Sequence, residues 1–387
     1  MGHIHPGTLP VQLVTANDSI IADDKILLHP AGDVMVKPIL GHVSNAKNSN
    51  IRRVDREIFS KFDPIQMCIV KNVILHNEKI VIKDGRFIVD NFISTANDLV
   101  AISGLADRLR TAASRFAGKP DEADFTVADD ECVLLANNFG SGTWGHWLAQ
   151  ILPKCLIFVK AVPNGKVALP RSYFGSGRFR NFGQAAFALG LRPEQVIQID
   201  REKNYLIKNA VFINAIHRGP ILHPAALEVF DAPDKEYKSI SCSEENENKC
   251  SLNRIYIDRP EQYGRGMVNA DSIRNLIHSN GFTLKKLAEE DFISQVAHWR
   301  RGGVFCGVLG SDFTNILFGS KGSSVISITP HWFGDSFFFG LCAMRGLVWN
   351  ELFCGDIVKE AKARHRSDFK VDEKQLDHFL SVVLRGL

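Results

Sequence analysis

The sequence predicts an α/β protein: two nucleotide-fold domains facing each other across a cleft, preceded by a small β-rich segment. Three observations carry this expectation. Short apolar runs alternate with segments of helical spacing through both halves of the chain. A polar, acidic stretch from Ser241 to Lys249 reads as a linker between the halves. Each half also contains a junction where a strand should end and a helix begin, the place where open α/β sheets bind ligands. The first junction is Trp144-Gly145-His146-Trp147-Leu148, running on to Leu152-Pro153-Lys154. The second is Gly310-Ser311-Asp312-Phe313-Thr314-Asn315, after the apolar run Gly303–Gly307.

Taken in order, residues 1 to about 60 are polar and read as irregular, with a solvated loop over Asn45–Arg53. Alternating runs at Met67–Leu75, Lys79–Ile82 and Arg86–Val89, the last two joined by Lys83-Asp84-Gly85, predict a β-meander. Leu99–Phe116 has helical spacing. The first nucleotide-fold half reads as strand Glu131–Ala136, helix His146–Phe158, strand Val167–Leu169, helix Arg178–Leu189 stopped by Gly190, and strands Val196–Ile199 and Ala210–Ile213. The second reads as strand Arg254–Ile257, helix Ala270–His278 with Asn269 as N-cap, strand Phe282–Leu284, helix Phe292–Trp299 and strand Val304–Cys306. It continues with a helix start at Thr314–Phe318, strand Ser324–Ile328, and helices Ser336–Met344 and Glu373–Leu384. The expected domains are residues 1–125 (arm, meander and helix), 126–245 and 246–387.

Composition narrows the function classes. The chain has 387 residues, 45% hydrophobic and 23% charged, which suits a globular protein of two or three domains. A formal net charge of +3 gives no bulk argument for nucleic acid, and 26 Phe against 5 Trp and 5 Tyr favours buried cores over a base-stacking surface. The 8 cysteines are scattered without a C-x-x-C pair and read as buried thiols rather than as disulfides or a zinc site. Met1-Gly-His-Ile-His-Pro lacks a basic segment followed by an apolar run, and no stretch approaches the roughly 18 apolar residues of a membrane span. A cytoplasmic protein is expected, with peripheral attachment to the inner face of a membrane left open.

Gly140-Ser141-Gly142-Thr143-Trp144-Gly145 matches G-x-G-x-x-G, but the fingerprint also needs an acid about 20 residues on for the ribose hydroxyls. Between Glu131 and Glu194 the chain has no Asp or Glu, so a dinucleotide is disfavoured and the glycines read as a tight turn. The same stretch carries Lys154, Lys160, Lys166, Arg171, Arg178, Arg180 and Arg192. It is either a positive field for phosphates and acidic glycans or a solvated face whose acids come from elsewhere. His146 stands at a sheet's carboxyl edge, where an imidazole can exchange a proton with a ligand oxygen. Trp147 reads as core. In the second junction Gly310 and Ser311 permit close backbone approach, and Thr314 and Asn315 open a helix whose free N–H groups suit a diphosphate. Asp312 is either a helix cap or a general base. Arg259 and Arg265, just past a strand end, can fork onto phosphate.

With these residues in hand, the chain resembles glycosyltransferase family 61 over roughly residues 65–350. The resemblance runs through the meander, Gly145–Pro153, Leu189-Gly190-Leu191, His223-Pro224, Arg259…Arg265…Asn269, Gln295, Thr314–Phe318 and Gly322-Ser323. It implies two Rossmann-like domains in a GT-B-like arrangement and inverting transfer of a sugar, commonly from a UDP-sugar, to a glycan hydroxyl. The donor would lie against the C-terminal domain, with no obligatory metal and no cofactor beyond the nucleotide-sugar substrate. Acceptors in bacterial members are often surface-polysaccharide intermediates. Three departures, at four positions, set the chain apart from the family pattern. Leu309 and Asp312 stand where His and Gly are usual, Gln150 where an acid is usual, and Ser327 where Glu is usual.

The expectation is therefore a metal-independent inverting glycosyltransferase of polysaccharide biosynthesis. His146 or Asp312 is the base, and Arg259, Arg265, Gly310, Ser311, Thr314 and Asn315 hold the donor. Its partners are a nucleotide-sugar and a glycan acceptor, not nucleic acid, and a homodimer through an exchanged N-terminal arm stays open. The alternative, motivated by the three departures, is a non-catalytic glycan-binding or assembly subunit on the same scaffold.

Overall fold

A computed structural model describes residues 13–15, 23–44, 56–84, 86–89, 126–136, 142–177, 179–231, 253–259, 264–333, 335–361 and 366–387. The helix expected over Leu99–Phe116, the loop over Asn45–Arg53, the linker Ser241–Lys249, Gly140, Ser141, Arg178, Cys242 and Cys250 lie outside the described residues. The protein is mixed α/β with parallel strands in both large sheets. The chain divides into two compact units, one of Met1–Gly32 with Phe62–Ile216 and one of Asp33–Lys61 with His217–Leu387.

In the first unit, strands Thr126–Leu134, Lys166–Pro170, Val196–Ile199 and Asn204–Ile213 run parallel, in the spatial order third, second, first, fourth. The expected meander is present as Ile65–His76, Ile80–Lys83 and Arg86–Val89. It is no separate layer: Ile65–His76 pairs antiparallel with Asn204–Ile213 and so extends the same sheet. Asp84 takes a left-handed φ of 49°, as the tight turn before Arg86 requires. Val70, Val73, Val133, Ala168, Ile207 and Ala210 pack as the core on one face.

In the second unit, six parallel strands lie in the order Thr283–Lys285, Arg254–Ile257, Val304–Val308, Ser324–Pro330, Val348–Cys354, Ile39–Ser44. Counted from Arg254, the first five read 2-1-3-4-5, a common doubly wound order. The central strands Val304–Val308 and Ser324–Pro330 are buried at every position, as a parallel sheet covered on both faces requires. Helices Ala270–Ser279 and Glu373–Arg385 pack on one face through Ile273, Ile277, Leu376, Phe379 and Leu380.

The N-terminal stretch corrects the sequence expectation. Residues 24–44 and 58–62 are not irregular but form strands Asp24–His29, Gly32–Val36, Ile39–Ser44 and Ile58–Phe62. Asp24–His29 joins the first sheet beside Ile65–His76, and Ile39–Ser44 forms an edge of the second. Buried Asn350 fixes that edge, accepting from the His42 N–H at 2.7 Å and donating to Ser324 Oγ at 2.8 Å. Such strands are hard to read because exposed edge positions carry no apolar alternation. Residues 217–231, placed with the first half by sequence, belong to the second unit: Leu222 N–H donates to Met344 Sδ at 3.1 Å, and Asp231 pairs with Arg345. Among the described residues no helix is long and apolar enough to cross a membrane. Cys68, Cys155, Cys306, Cys342 and Cys354 are buried free thiols, as expected, and Cys132 is partly buried.

Candidate functional site

The strand order of the second unit locates a crevice before any side chain is considered. The connections leaving strand Arg254–Ile257 and strand Val304–Val308 depart in opposite directions, so their carboxyl ends flank the switch point where doubly wound sheets hold ligands. Asp258 and Arg259 follow the first of these strands; Leu309, Gly310, Ser311 and Asp312 follow the second. A small pocket of about 10 Å³, room for about one water molecule, lies there, lined in part by Tyr256, Asp258, Arg259, Arg265, Arg274 and Val308.

The loop after Ile257 is built to present arginines. Gly264 and Arg265 are consecutive left-handed residues, with φ of 72° and 56°. The second conformation is unfavourable for a residue with a side chain, by about 1 kcal/mol or more, and persists only where its surroundings impose it. Those surroundings are a strap of residues 366–369. Arg265 N–H donates to Arg366 O at 3.0 Å, Gly266 N–H to Asp368 Oδ1 at 2.9 Å, Phe369 N–H to Gly266 O at 3.0 Å and Val268 N–H to Phe369 O at 2.9 Å. Asn269 does not cap helix Ala270–Ser279 with its side chain, as the sequence suggested; it ties the loop to the same strap, donating to Val371 O at 2.9 Å and accepting from Val371 N–H at 3.2 Å.

Held this way, the Arg265 side chain is 9% exposed, with its guanidinium carbon 3.9 Å from the centre of the Phe333 ring. Its Nη1 is buried and has no hydrogen-bond partner among the described residues. Burial pushes Arg265 down to about 9; the charges of Arg259 and Arg366 push the same way, and Asp335 opposes them. Arginine stays protonated at neutral pH even so. The direction reflects a guanidinium whose desolvation outweighs the attraction of Asp335, a setting in which an anion would be favourable.

Arg259 is half-buried, and its Nε donates to Gly264 O at 3.0 Å. Its guanidinium lies over Gly310: a Cβ at that position would collide with Arg259 Nη1. Gly310 is extended (φ −173°), so glycine is needed there for the close approach rather than for its backbone angle. Asp312 is half-buried near Arg259. Burial raises its carboxyl above the usual range, and the Arg259 charge works against that rise. No side chain caps the 3₁₀ helix Ser311–Phe318, so the capping role considered for Asp312 is not seen. An elevated carboxyl beside a cation suits a general base.

Arg259, Arg265, Gly310, Ser311 and Asp312 thus gather at one end of the second sheet. Of the expected site residues of this unit only Arg259 and Arg265 line the pocket itself; Gly310, Ser311 and Asp312 do not, and neither do Thr314 and Asn315. They are 0% and 1% exposed, and Asn315 Nδ2 donates to buried Gln295 Oε1 at 2.8 Å, tying the 3₁₀ helix to helix Phe292–Arg300. Arg254 also has a structural partner, donating to Asn280 O at 2.9 Å. Sequence reasoning missed Tyr256, His331 and Trp332. Like Arg265 and Thr314, each has a buried polar atom without a partner among the described residues. Their signal was the position of Tyr256 near the carboxyl end of one strand and of His331-Trp332 just after the end of another.

Three of the departing residues, Leu309, Ser327 and Gln150, fall inside the structure, and Asp312 is half-buried. Leu309 and Ser327 are both 0% exposed. Ser327 is the register partner of Glu351 on the next strand, itself 0% exposed. Glu351 accepts from Thr329 Oγ1 at 2.7 Å and Trp349 Nε1 at 3.0 Å, and Ser327 Oγ meets Thr329 Oγ1 at 2.8 Å. A carboxylate is therefore kept one strand away from where the pattern has it.

His146 lies in the first unit, just past strand Thr126–Leu134, on the short helix Trp144–His146. That helix runs into a π turn, Trp147–Ile151, closed by Leu152 N–H donating to Trp147 O. Inserted π turns recur at functional sites because they re-aim side chains. Here Trp147 is 0% exposed against Tyr173 (4.9 Å) and Phe182 (5.7 Å), as its core assignment expected. His146 is half-buried, and its Nδ1 lies 2.9 Å from Gln150 Oε1. With the Gln150 oxygen facing it, the tautomer protonated at Nδ1 satisfies this contact and makes Nε2 the ring's basic nitrogen. The cations of the acid-free stretch are partly neutralised from outside it. Lys166 pairs with Glu131 (3.6 Å), Arg171 with Asp200 (3.1 Å) and Arg192 with Glu194 (3.0 Å), which favours the solvated-face reading for those three.

No curated protein matches the chain. A family model, Glycosyltransferase 61, matches residues 144–326, a span opening on the Trp144-Gly145-His146-Trp147 turn and containing Arg259, Arg265 and the Gly310–Asn315 segment. Over that span, a little under half of the chain, the sequence is similar to the glycosyltransferase 61 family.

Proposed function

We propose that this protein is a glycosyltransferase that moves a sugar, with inversion, from a nucleotide-sugar to a hydroxyl of a glycan such as a surface polysaccharide. The match to the family model supports the reaction class. The observation that carries the reading further is buried Arg265, whose Nη1 has no hydrogen-bond partner among the described residues, beside Arg259 at the switch point of the second sheet. In the proposed reaction the acceptor oxygen attacks the anomeric carbon as the bond to the diphosphate oxygen breaks. The bonding pair leaves with the diphosphate, and the acceptor proton passes to a base. Arg259 and Arg265 stabilise the growing charge on the leaving group, as fixed donors do most effectively in a poorly solvated site. Asp312 is the first candidate base because its carboxyl is elevated and close to the arginines; His146 Nε2 is the second. Gly310 and Ser311 let the ligand approach the chain, whereas Thr314 and Asn315 support the turn from within. The reading retains the GT-B-like cleft expected from sequence, cytoplasmic chemistry, and no metal or cofactor other than the donor.

The non-catalytic alternative rested on the three departures. Two of them are enclosed in the core, with a carboxylate kept beside Ser327, and this weakens that alternative. The test is a melting-temperature and calorimetric screen of UDP, GDP, CMP and dTDP with their sugar esters, followed by donor hydrolysis. Binding of one donor, with slow hydrolysis lost in Arg259→Ala, is the expected result. Failure to bind any nucleotide or nucleotide-sugar overturns the reading.

A further inference from the structure

The small pocket beside strand Arg254–Ile257 gathers hydrogen-bond donors around a space sized for one water or one monatomic ion. Two polar atoms on its lining residues are buried without a hydrogen-bond partner among the described residues: Arg265 Nη1 and the Tyr256 hydroxyl. A guanidinium nitrogen can only donate. Tyr256 is 0% exposed, and burial raises its phenol well above the ordinary value, so the hydroxyl keeps its proton and can donate as well. Ala270, the first residue of helix Ala270–Ser279, also lines the pocket and brings the positive end of that helix to it. The charged groups on the lining are three guanidiniums, Arg259, Arg265 and Arg274, against one carboxylate, Asp258. Both Asp258 oxygens already accept from Arg274 Nε, at 3.1 and 3.2 Å, and Arg274 Nη1 donates to Asp271 at 2.8 Å. Asp258 is thus committed to Arg274, and Asp335 attracts Arg265 from outside the lining. A water would satisfy the two donors but leave the buried positive charge of Arg265 in place; a monovalent anion answers both.

We propose that this pocket is a halide site, filled by chloride in the donor-free protein, and that the ion opposes donor binding by neutralising the guanidinium of Arg265. The ion accepts from Arg265 Nη1 and from the Tyr256 hydroxyl. The site itself follows from the pocket; only its opposition to the donor rests on reading the crevice as a nucleotide-sugar site. A chloride held against Arg265 cancels the charge that would otherwise attract the donor's phosphate. Linkage makes the effect reciprocal: chloride weakens the nucleotide by the factor by which the nucleotide weakens chloride.

The experiment is scanning calorimetry of the full chain without nucleotide, in sodium gluconate and with gluconate exchanged stepwise for chloride or bromide at one ionic strength, so that screening stays constant. The wild type should show a saturable rise in melting temperature, about 3–6 °C at a halide concentration ten times the dissociation constant. Arg265→Met should show no rise. Tyr256→Phe, which keeps the ring and removes one donor, should need about tenfold more chloride to reach half of it, whatever its own melting temperature. Crystals grown in sodium bromide should show an anomalous peak touching both atoms. Equal melting in gluconate and chloride overturns the site, and so does the same rise in the wild type and both variants. A bromide peak without a melting shift means an adventitious ion only and overturns it too. Titration of the wild type with UDP, GDP and dTDP in the two salts tests the opposition: a nucleotide that binds should do so at least about fivefold more weakly in chloride. Equal affinity in the two salts overturns the opposition to the donor. If none of the three binds in either salt, the nucleotide-sugar reading falls and the halide site stands on its melting shift.

Discussion

Replacing Arg265 by methionine should stabilise the empty protein while removing its affinity for the donor. The side chain is 9% exposed, and burial holds the guanidinium at about 9. Against an ordinary value above 12, that is at least three powers of ten in proton affinity, or roughly 4 kcal/mol of unfavourable burial at 1.36 kcal/mol per unit. The sign follows from linkage. Between about 9 and the ordinary value the unfolded chain binds the proton that the folded chain releases, so this group's cost is fully present at neutral pH and fades only above about 9. Methionine removes the cost and keeps most of the volume. It forfeits the stack on Phe333, worth about 1–2 kcal/mol when desolvated, and the left-handed backbone strains Met as it strains Arg. The net expectation is a gain of about 2 kcal/mol, or about 4–8 °C in melting temperature for a unit of this size. Scanning calorimetry of the ligand-free protein measures it, and titration with the best nucleotide should show at least a hundredfold loss of affinity. A ligand-free Arg265→Met protein that melts lower than wild type, with nucleotide affinity intact, would refute the reasoning, because Arg265 would then be a structural residue with a partner.

The neighbouring positions make separable predictions. Gly310→Ala is sterically allowed by its extended backbone but displaces the Arg259 guanidinium, so stability should change by less than about 1 kcal/mol while donor affinity falls about tenfold, as in Arg259→Ala; unchanged affinity would remove Arg259 from the site. Asp312→Asn should keep donor binding and lose about a hundredfold or more in kcat. Because the folded carboxyl is raised, its charge destabilises the fold above the ordinary carboxylate range. The variant should therefore melt higher than wild type at pH 7–8, with the gap closing as pH falls towards about 4. Gln150→Glu should raise the pKa of His146 through the Nδ1 contact and, if His146 is the base, move the acidic limb of kcat/KM upward by about one pH unit. A profile that does not move assigns the base to Asp312.

The elements of the second half were legible because each was dictated locally. Val304–Val308 and Ser324–Pro330 are apolar runs bounded by glycine and proline, and Asp291 and Asp372 mark the starts of their helices by accepting from backbone N–H groups. The placement of Arg259 and Gly310 just past two strand ends was legible for the same reason, since the carboxyl end of a parallel strand can be found from the strand alone. What was hidden depended on residues far apart in sequence. Ile39–Ser44 becomes a strand through Asn350, some 308 residues away, and nothing in Gly41-His42 announces it. Arg366 reaches the arginine loop only through the strap. Thr314 and Asn315 look like the open start of a helix in one dimension and are core residues in three, because Gln295 from the preceding helix takes the Asn315 amide.

The same distinction explains why the motif departures misled. A residue pattern records which groups are present at given spacings, but strand register decides which groups meet. Ser327 looks like the loss of a carboxylate when its strand is read alone. Read with its neighbour, Ser327 sits beside Glu351, and a hydroxyl pair connects the two. Leu309 looks like the loss of a polar group at the crevice, yet its N–H donates to Ile328 O at 3.2 Å and its side chain is wholly enclosed, so position 309 extends the sheet rather than facing a ligand. Charge at this site is carried by the turn at 264–265 and by what holds that turn in an unfavourable backbone conformation. A loop under strain, fixed by a distant strap and presenting a buried guanidinium whose Nη1 has no hydrogen-bond partner among the described residues, is stable only because the rest of the unit stabilises it. That arrangement is what a site poised to receive an anion requires.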